Sequence, residues 1–438
     1  MISAVQKTTK NSDMVYKLLI LQIILLFILP PLDGKINIIR VIIYAIFSFI
    51  SIALVLIFVK KAFFERKIKV DLTFWSVMFF FGMCAVSAVW GISRGILLTD
   101  VVRGILPFVW FIYIIVLTQS LTSVHLEKII RVIGVLAVFY AARIIIYYFI
   151  YVFGNPYERV TFHLVKATSI MPMIGSLILG YYFIQRRTKN LRYFVGFLVC
   201  YITVLLTETK AMLIALVIGW IILEICIACY IRKQKTDKNK LIGKMFIICC
   251  SLFICTGIMM LGSNLGKRWE SMIAVKEVKE KNEEGIEETE KKVIVDQGSV
   301  SVRIIEIKTA LQKFKESPVL GQGIGYRWIA KGIDYGEPVI YMHNILAFVV
   351  MDFGIIGLIY VVLIMIFLIN MFRKTFRNSV LIGMSRKNFI LYFSIIIMAF
   401  SYANFFAVFR NIEFVVICSV CIAAFVLEYE NIVNGVKT

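Results

Sequence analysis

Apolar runs close to the length of a bilayer crossing recur along the whole chain, and nothing constrains its fold more. A membrane-spanning helix takes about 20 predominantly apolar residues. Runs of that kind fall at Leu18–Leu29, Ile36–Val59, Leu72–Gly91, Gly104–Ser120, Val132–Val152 and Lys166–Gln185. More follow at Tyr193–Thr207, Ala211–Tyr230, Met245–Gly262, His343–Phe372, Phe389–Val408 and Ile412–Glu428. A chain of 438 residues that is 60% hydrophobic has far more apolar surface than one soluble core can bury. In lipid every backbone polar group must be bonded within its own segment, so runs of this length are read as helices. The expected class is an all-α integral membrane protein of about twelve transmembrane helices. Residues 1–262 form a nine-helix membrane region, 263–342 a large polar loop, and 343–438 a three-helix membrane region. The first run follows Lys7 and Lys10 but is not followed by a small-x-small cleavage site, so it reads as a retained helix rather than a signal peptide.

The formal charge of +21 would suggest nucleic acid in a soluble protein. Here it reads as topology, because Lys and Arg gather in short connections. With both termini in the cytoplasm, the cytoplasmic connections carry 26 Lys and Arg and the opposite short connections 7. That asymmetry predicts a multi-pass protein of the plasma (inner) membrane whose large loop is extracytoplasmic. None of the nine cysteines lies in that loop, which argues against a disulfide framework. Cys226-x-x-Cys229 and Cys418-x-x-Cys421 have metal-like spacing but no His partner and sit in apolar runs, so they read as small packing residues, and no metal site and no cofactor is expected.

The loop divides in two. Residues 263–298 form a charged insert containing KEVKEKNEEGIEETEKK, read as a solvated helix or a disordered insertion without chemistry. In 299–342, Ile304, Ile307, Leu311 and Phe314 recur at helical spacing. Ser299 or Ser301 can cap that helix and Pro318 follows its end. It is expected to lie along the membrane surface or over a cavity mouth. Gly321-x-Gly323-x-Gly325 is preceded by no strand and so reads as a tight chain reversal, not a nucleotide loop.

The only histidines are His125, His163 and His343. His125 falls on the cytoplasmic side, His163 near the outer end of the sixth span, and His343 opens the tenth span directly after the loop. A neutral imidazole there can accept a proton. Arg143, in mid-span, is expected to face a wet cavity or a partner because a charge at that depth is costly; Glu224 is a weaker case. Lys210 begins the eighth span from the outer side. Arg303, in the first turn of the amphipathic helix, is placed on its buried edge. Lys210, Arg303 and His343 thus reach one side of the membrane from three places. Cations with a base suit an anionic diphosphate lipid, and an Arg grips phosphate through paired donors.

Several motifs then occur in order: Arg303, Ala310-Leu311, Phe314, Pro318-x-x-Gly321-x-Gly323-x-Gly325, His343-Asn344, and Asp352-x-Gly354-Ile355-Ile356-Gly357. This string, over about 55 residues, resembles the O-antigen ligase and polymerase superfamily of integral-membrane, GT-C-like glycosyltransferases. Thr207-Glu208-Thr209-Lys210-Ala211 stands where that family carries a Thr-x-Ser-Arg-Gly-like turn, with Lys210 in place of the usual Arg; Asp352 stands where Glu is common. The resemblance implies a metal-independent, inverting transfer of glycan from undecaprenyl diphosphate. In that picture His343 is catalytic, Lys210 and Arg303 bind the diphosphate, and Arg143, His163 and Asn344 are possible cavity residues. The function expected is polymerisation of lipid-linked repeat units for a capsule, O-antigen or exopolysaccharide, with a flippase and a chain-length regulator of the same pathway as partners. A ligase passing finished glycan to lipid A core, protein or another acceptor shares these motifs. A transporter of the same lipid predicts paired halves and a charged midplane, and a structural scaffold would leave His343 idle.

Overall fold

In the computed structural model, the residues described are 2–28, 38–63, 68–152, 169–185, 191–233, 238–262, 299–329, 338–382 and 388–435, with four residue pairs between 276 and 294. Each of the twelve apolar runs is mainly helical over its described part, with bends or turns at ends such as Ser169–Ile170, His343–Asn344 and Phe406–Ala407. The helices before the loop are α1 (Ile2–Ile28), α2 (Ile38–Phe63), α3 (Leu72–Ser93), α4 (Leu98–Ile105), α5 (Ile112–Ser120), α6 (Ser123–Tyr147), α7 (Met171–Gln185), α8 (Leu191–Leu206), α9 (Lys210–Lys233) and α10 (Lys238–Gly262). The loop contributes α11 (Ser299–Glu316), and α12 (Ile345–Ile382), α13 (Asn388–Phe405) and α14 (Ile412–Gly435) complete the chain. Among the described residues, nine helical segments are long and apolar enough to cross a membrane, and α7 and α8 are shorter apolar helices.

Local chemistry sets several helix ends. Asp71 caps α3 by accepting from Phe74 N at 2.8 Å, and the Thr122 hydroxyl caps α6. The run expected as one helix over Gly104–Ser120 is instead α4, a 3-10 turn over Leu106–Phe111, and α5. Pro107 in that turn has no N–H to donate and its ring crowds the preceding turn, so the ladder tightens and changes direction there. Of the charged insert, expected as a solvated helix or a disordered insertion, only eight residues are described. Its described residues pair as antiparallel strands, Lys276 with Ile294, Glu277 with Val293, Glu280 with Glu288 and Lys281 with Glu287, rather than forming a helix.

The bundle has a clear centre. α13 and α14 are buried over 72% of their most apolar stretch, whereas α10 is buried over only 6%. α10 therefore presents its apolar side chains outward, as a lipid-facing helix does, and α13 and α14 are enclosed by α5, α6, α7, α9 and α12. Beside this centre, one set of buried polar groups links three helices. Gln22 on α1 donates to Ser51 on α2 at 2.6 Å and to Tyr113 on α5 at 2.7 Å, so three helices share one network.

One irregularity positions the functional end. α12, which starts close to the predicted His343, is not continuous: Gly354 has φ 60°, ψ −148°. The loop after α11 fills this break. Ile355 N donates to Pro318 O at 2.9 Å, and Gln322 N donates to Met351 O at 2.7 Å. Trp90 Nε1 on α3 donates to Gly321 O at 3.0 Å, and Ser87 Oγ donates to Asp352 O at 2.9 Å while accepting from Ile324 N at 2.8 Å. The Pro318–Gly325 segment is thus a backbone wedge between α3 and the broken α12. The glycines of the ordered motif serve this packing: a Cβ on Gly321 would stand 2.5 Å from Met351 O, and one on Gly323 2.5 Å from Gly91 Cα.

Candidate functional site

α11 carries the first half of the site. It has no Gly or Pro between Ser299 and Glu316, and Pro318 stands just beyond its end. Its orientation differs from the ordinary amphipathic pattern. Ile304, Ile307 and Leu311 are exposed, whereas Ala310 and the carboxylate of Glu306 are buried, Glu306 completely. An apolar stripe that faces away from the protein fits a helix lying on lipid better than one covering a cavity. Arg303 is half-buried, one turn before Glu306 on the same side, and its Nε donates to Phe405 O at 3.1 Å. Phe405 ends α13, where helix carbonyls lack intrahelical donors and the macrodipole favours a cation.

A fully buried carboxylate is costly without hydrogen-bond donors. Glu306 receives two from His343: the backbone N at 2.9 Å to Oε2, and ring Nδ1 at 2.6 Å from Oε1. A carboxylate only accepts, so Nδ1 carries the ring proton and Nε2 of the neutral ring is left as a proton acceptor. The imidazole lies between the rings of Tyr341 and Phe406, with centroids 5.8 Å and 5.9 Å away. Its next neighbour, Asn344, is a helix cap rather than a cavity residue. Asn344 Oδ1 accepts from Ala347 N at 2.9 Å, and Nδ2 donates to Asn404 O at 3.0 Å, which ties the start of α12 to the end of α13. His343 is therefore held from both sides in sequence.

Cations surround this end. Arg410, in a 3-10 turn between α13 and α14, lies over the Tyr341 ring at 4.3 Å. Burial pulls its guanidinium below the usual arginine range, yet an arginine stays charged. Arg103 on α4 interacts electrostatically with Arg410. Lys210 begins α9, which packs on α13, and Gly219 of α9 faces Met398 of α13. The two helices are antiparallel, because Tyr230 near the end of α9 meets the Phe376 ring, which in turn meets Phe389 at the start of α13. Counting from the Gly219–Met398 contact at about 1.5 Å per residue, Lys210 and Phe405 lie within about 3 Å of one height. Lys210, Arg303 and His343 are thus brought to the same end of the bundle. The turn ahead of Lys210 is set by Glu208, which has φ 51°, and by the Thr207 hydroxyl bonded to Val204 O at 2.8 Å.

Two expected residues stand apart. Arg143 is exposed on α6 and lines neither of the two cavities at this end of the bundle. His163 lies outside the described residues. His125 ties α6 to α1, with Nδ1 2.9 Å from Thr122 Oγ1 and Nε2 3.4 Å from Asp13. Two residues of the site were not singled out by the sequence, Glu306 and Arg410. Glu306 had a signal: it lies four residues before Ala310 on the face of α11 that also holds Arg303, and a lone carboxylate there needs a donor. Arg410 had none, because a basic residue in a short connection is what topology alone requires.

Below the site is a cavity of about 240 Å³ enclosed by α3, the 3-10 turn at Leu106–Phe111, α12, α13 and α14. Ile345 and Phe348 at the start of α12 line its upper part and Met365 and Leu368 its lower part, and its walls are almost wholly apolar. Among the described residues, no three His, Cys, Asp or Glu side chains converge as a metal site.

Replacing Glu306 tests the geometry of the imidazole. Glu306→Gln keeps one acceptor oxygen of the two in use, and Glu306→Ala keeps none. We expect activity to fall about tenfold for the first and about a hundredfold or more for the second, with the protein still inserted and monodisperse. Equal activity of wild type and Glu306→Ala would show that the carboxylate does not orient His343.

Residues 194–362 match the family model described as O-antigen ligase. The matched stretch runs from α8 into α12 and contains Lys210, Arg303, Glu306 and His343. A search of curated proteins finds no match to the chain.

Proposed function

We propose that this chain, whose residues 194–362 match the O-antigen ligase family model, is a polysaccharide polymerase that joins undecaprenyl-diphosphate-linked repeat units at the outer face of the plasma membrane. The observation that carries this reading is the His343–Glu306 pair, a base oriented by a buried carboxylate, set among Arg303, Arg410 and Lys210 at one end of an apolar bundle. The charge asymmetry of the connections supports an outward position for that end. The apolar cavity that begins beside Ile345 suits the hydrocarbon part of a lipid-linked donor.

In this mechanism an acceptor hydroxyl oxygen attacks the anomeric carbon of the donor glycan. Its proton passes to Nε2 of His343. The anomeric carbon–oxygen bond to the diphosphate breaks, and undecaprenyl diphosphate leaves with the bonding electrons. Lys210 and Arg303 hold that diphosphate, and Arg410 adds to the field that stabilises its growing charge. A single displacement inverts the anomeric centre. The reaction needs no metal, because fixed cations do the work of charge stabilisation.

The test is reconstitution of the purified protein in vesicles with lipid-linked oligosaccharide. A ladder of products supports the polymerase, and it persists in EDTA. Transfer of a preformed chain to a second lipid or protein, without a ladder, gives the ligase reading instead. Movement of the lipid across the vesicle with no transfer overturns both.

A further inference from the structure

A second cavity, of about 400 Å³, lies on the far side of the Pro318–Gly325 wedge from α12. Its walls come from the α3–α4 turn and from the wedge itself, and its character differs sharply from that of the His343 site. Asp100, 2% exposed, receives a two-pronged bond from Arg327, with Nε at 2.7 Å from Oδ2 and Nη2 at 2.9 Å from Oδ1. Glu316 at the rim is held by Lys313 Nζ at 2.9 Å, and Arg94 lies over the Trp90 ring at 5.6 Å. Tyr326 presents its ring with Lys313 on one side at 5.8 Å. The buried amide of Gln322 is anchored by donation to Lys313 O at 2.7 Å.

The lining itself holds two cations, Arg94 and Arg327, and two carboxylates, Asp100 and Glu316; the Asp100–Arg327 pair is made within it, and Lys313 bonds Glu316 from outside it. Such a surface offers acceptors, donors and an aromatic face with its carboxylates already matched by cations. That is poor for a diphosphate, which needs unbalanced positive charge, and good for a neutral polyhydroxyl ligand, whose hydroxyls both donate and accept. The volume is that of a ligand pocket rather than an ion site. The cavity is also tied to the chemistry. Trp328 pairs with Val339 in a short antiparallel bridge, and Trp328 Nε1 donates to Tyr341 O at 3.1 Å, so the cavity wall at Tyr326 and Arg327 leads directly into the segment that holds His343. Arg103 interacts electrostatically with both Asp100 and Arg410, which makes the two regions neighbours.

We propose that this cavity is a glycan-binding subsite that holds an uncharged stretch of oligosaccharide, about two sugar rings long, beside the His343 site. The proposal rests on the glycan-transfer reading above and divides the substrate by charge. Diphosphate goes to the arginine-rich end, and sugar goes to the balanced cavity.

The experiment uses the full-length protein in nanodiscs and two probes. One is a lipid-free oligosaccharide cleaved from the surface polysaccharide of the cell that makes the protein; the other is farnesyl diphosphate. Binding of each is measured by calorimetry for wild type, Tyr326→Ala, Arg94→Ala and Lys210→Ala. The expected result is that Tyr326→Ala and Arg94→Ala each weaken the oligosaccharide about tenfold and leave farnesyl diphosphate unchanged, as loss of one stacking or hydrogen-bonding partner does. Lys210→Ala does the reverse. Failure of wild type to bind the oligosaccharide overturns the proposal, as does unchanged oligosaccharide affinity in both cavity variants. It is also overturned if the cavity variants weaken the diphosphate and not the sugar. Equilibrium binding needs no turnover, so failure of the transfer reading, seen as absent products in the vesicle assay, is scored separately.

Discussion

His343→Ala is expected to leave a folded, inserted protein that has lost the proposed glycan transfer. Removing a positioned base is expected to cost about 10²- to 10⁴-fold in rate. The variant should still fold because Glu306 keeps one of its two donors. The backbone N–H of residue 343, 2.9 Å from Oε2, does not depend on the side chain. The Asn344 cap, made by Oδ1 to Ala347 N, is also unaffected, so the start of α12 remains in place. The measurement is product ladder length and initial rate in vesicles, alongside thermal unfolding of the same preparations. Ladders equal to wild type from a well-folded His343→Ala protein would remove the imidazole from the mechanism and leave the cations as the catalytic machinery.

Gly354→Ala is the second large effect, and it acts through the fold. At φ 60°, ψ −148° an L side chain is strained before any neighbour is considered. A Cβ there would also stand 2.5 Å from Val319 O, 2.6 Å from Gly321 N and 2.7 Å from Pro318 O, all backbone atoms that cannot rotate away. The wedge has to leave the break, and with it go the bonds to Ile355 N and Gln322 N. A loss of about 3 kcal/mol or more is expected, read as a drop in folded yield and in unfolding temperature. Gly82→Ala on α3 is the contrasting change. Nothing lies within 4 Å of its added Cβ, and a helical Ala is favoured over Gly by about 1 kcal/mol, so that variant should be neutral or slightly stabilised. If the two variants behave alike, the break in α12 is not the structural keystone assigned to it.

The two effects separate chemistry from architecture within one motif string. In the proposed reaction His343 meets the reactants. Gly321, Gly323 and Gly354 hold the wedge that places α11 over the start of α12. Asn344, adjacent to the base, is a positioning residue, and Glu306 is another.

Much of this was legible in the residues themselves. Apolar run length dictated the twelve helical stretches, because backbone in lipid has no alternative to internal hydrogen bonding. The helix over Ser299–Glu316 followed from its spacing and from Pro318 beyond its end. His343 stood out because a titratable ring at the junction of a polar loop and an apolar helix is an uncommon combination. Those are local properties, carried by neighbours in sequence. The facing of α11 was not. Periodicity identified an apolar stripe but not what it faces, and in the fold that stripe is exposed while Glu306 is buried. Partnership at a distance made that choice: a carboxylate 37 residues before His343 is worth burying only where the chain returns two N–H donors to it. Nor did the sequence show that the Gly-x-Gly-x-Gly segment fills a break in another helix, since the acceptors at Pro318 and Val319 and the donors at Ile355 and Ile356 are ordinary backbone groups without a side-chain signature. The sequence by itself determined that this chain is a helical membrane protein with a polar loop that leads into a histidine at the start of an apolar helix. Only the tertiary structure decided which carboxylate orients that base, which arginines stand beside it and where a second, charge-balanced cavity lies, because hydrogen-bond partners and cavities are made by elements far apart in the chain.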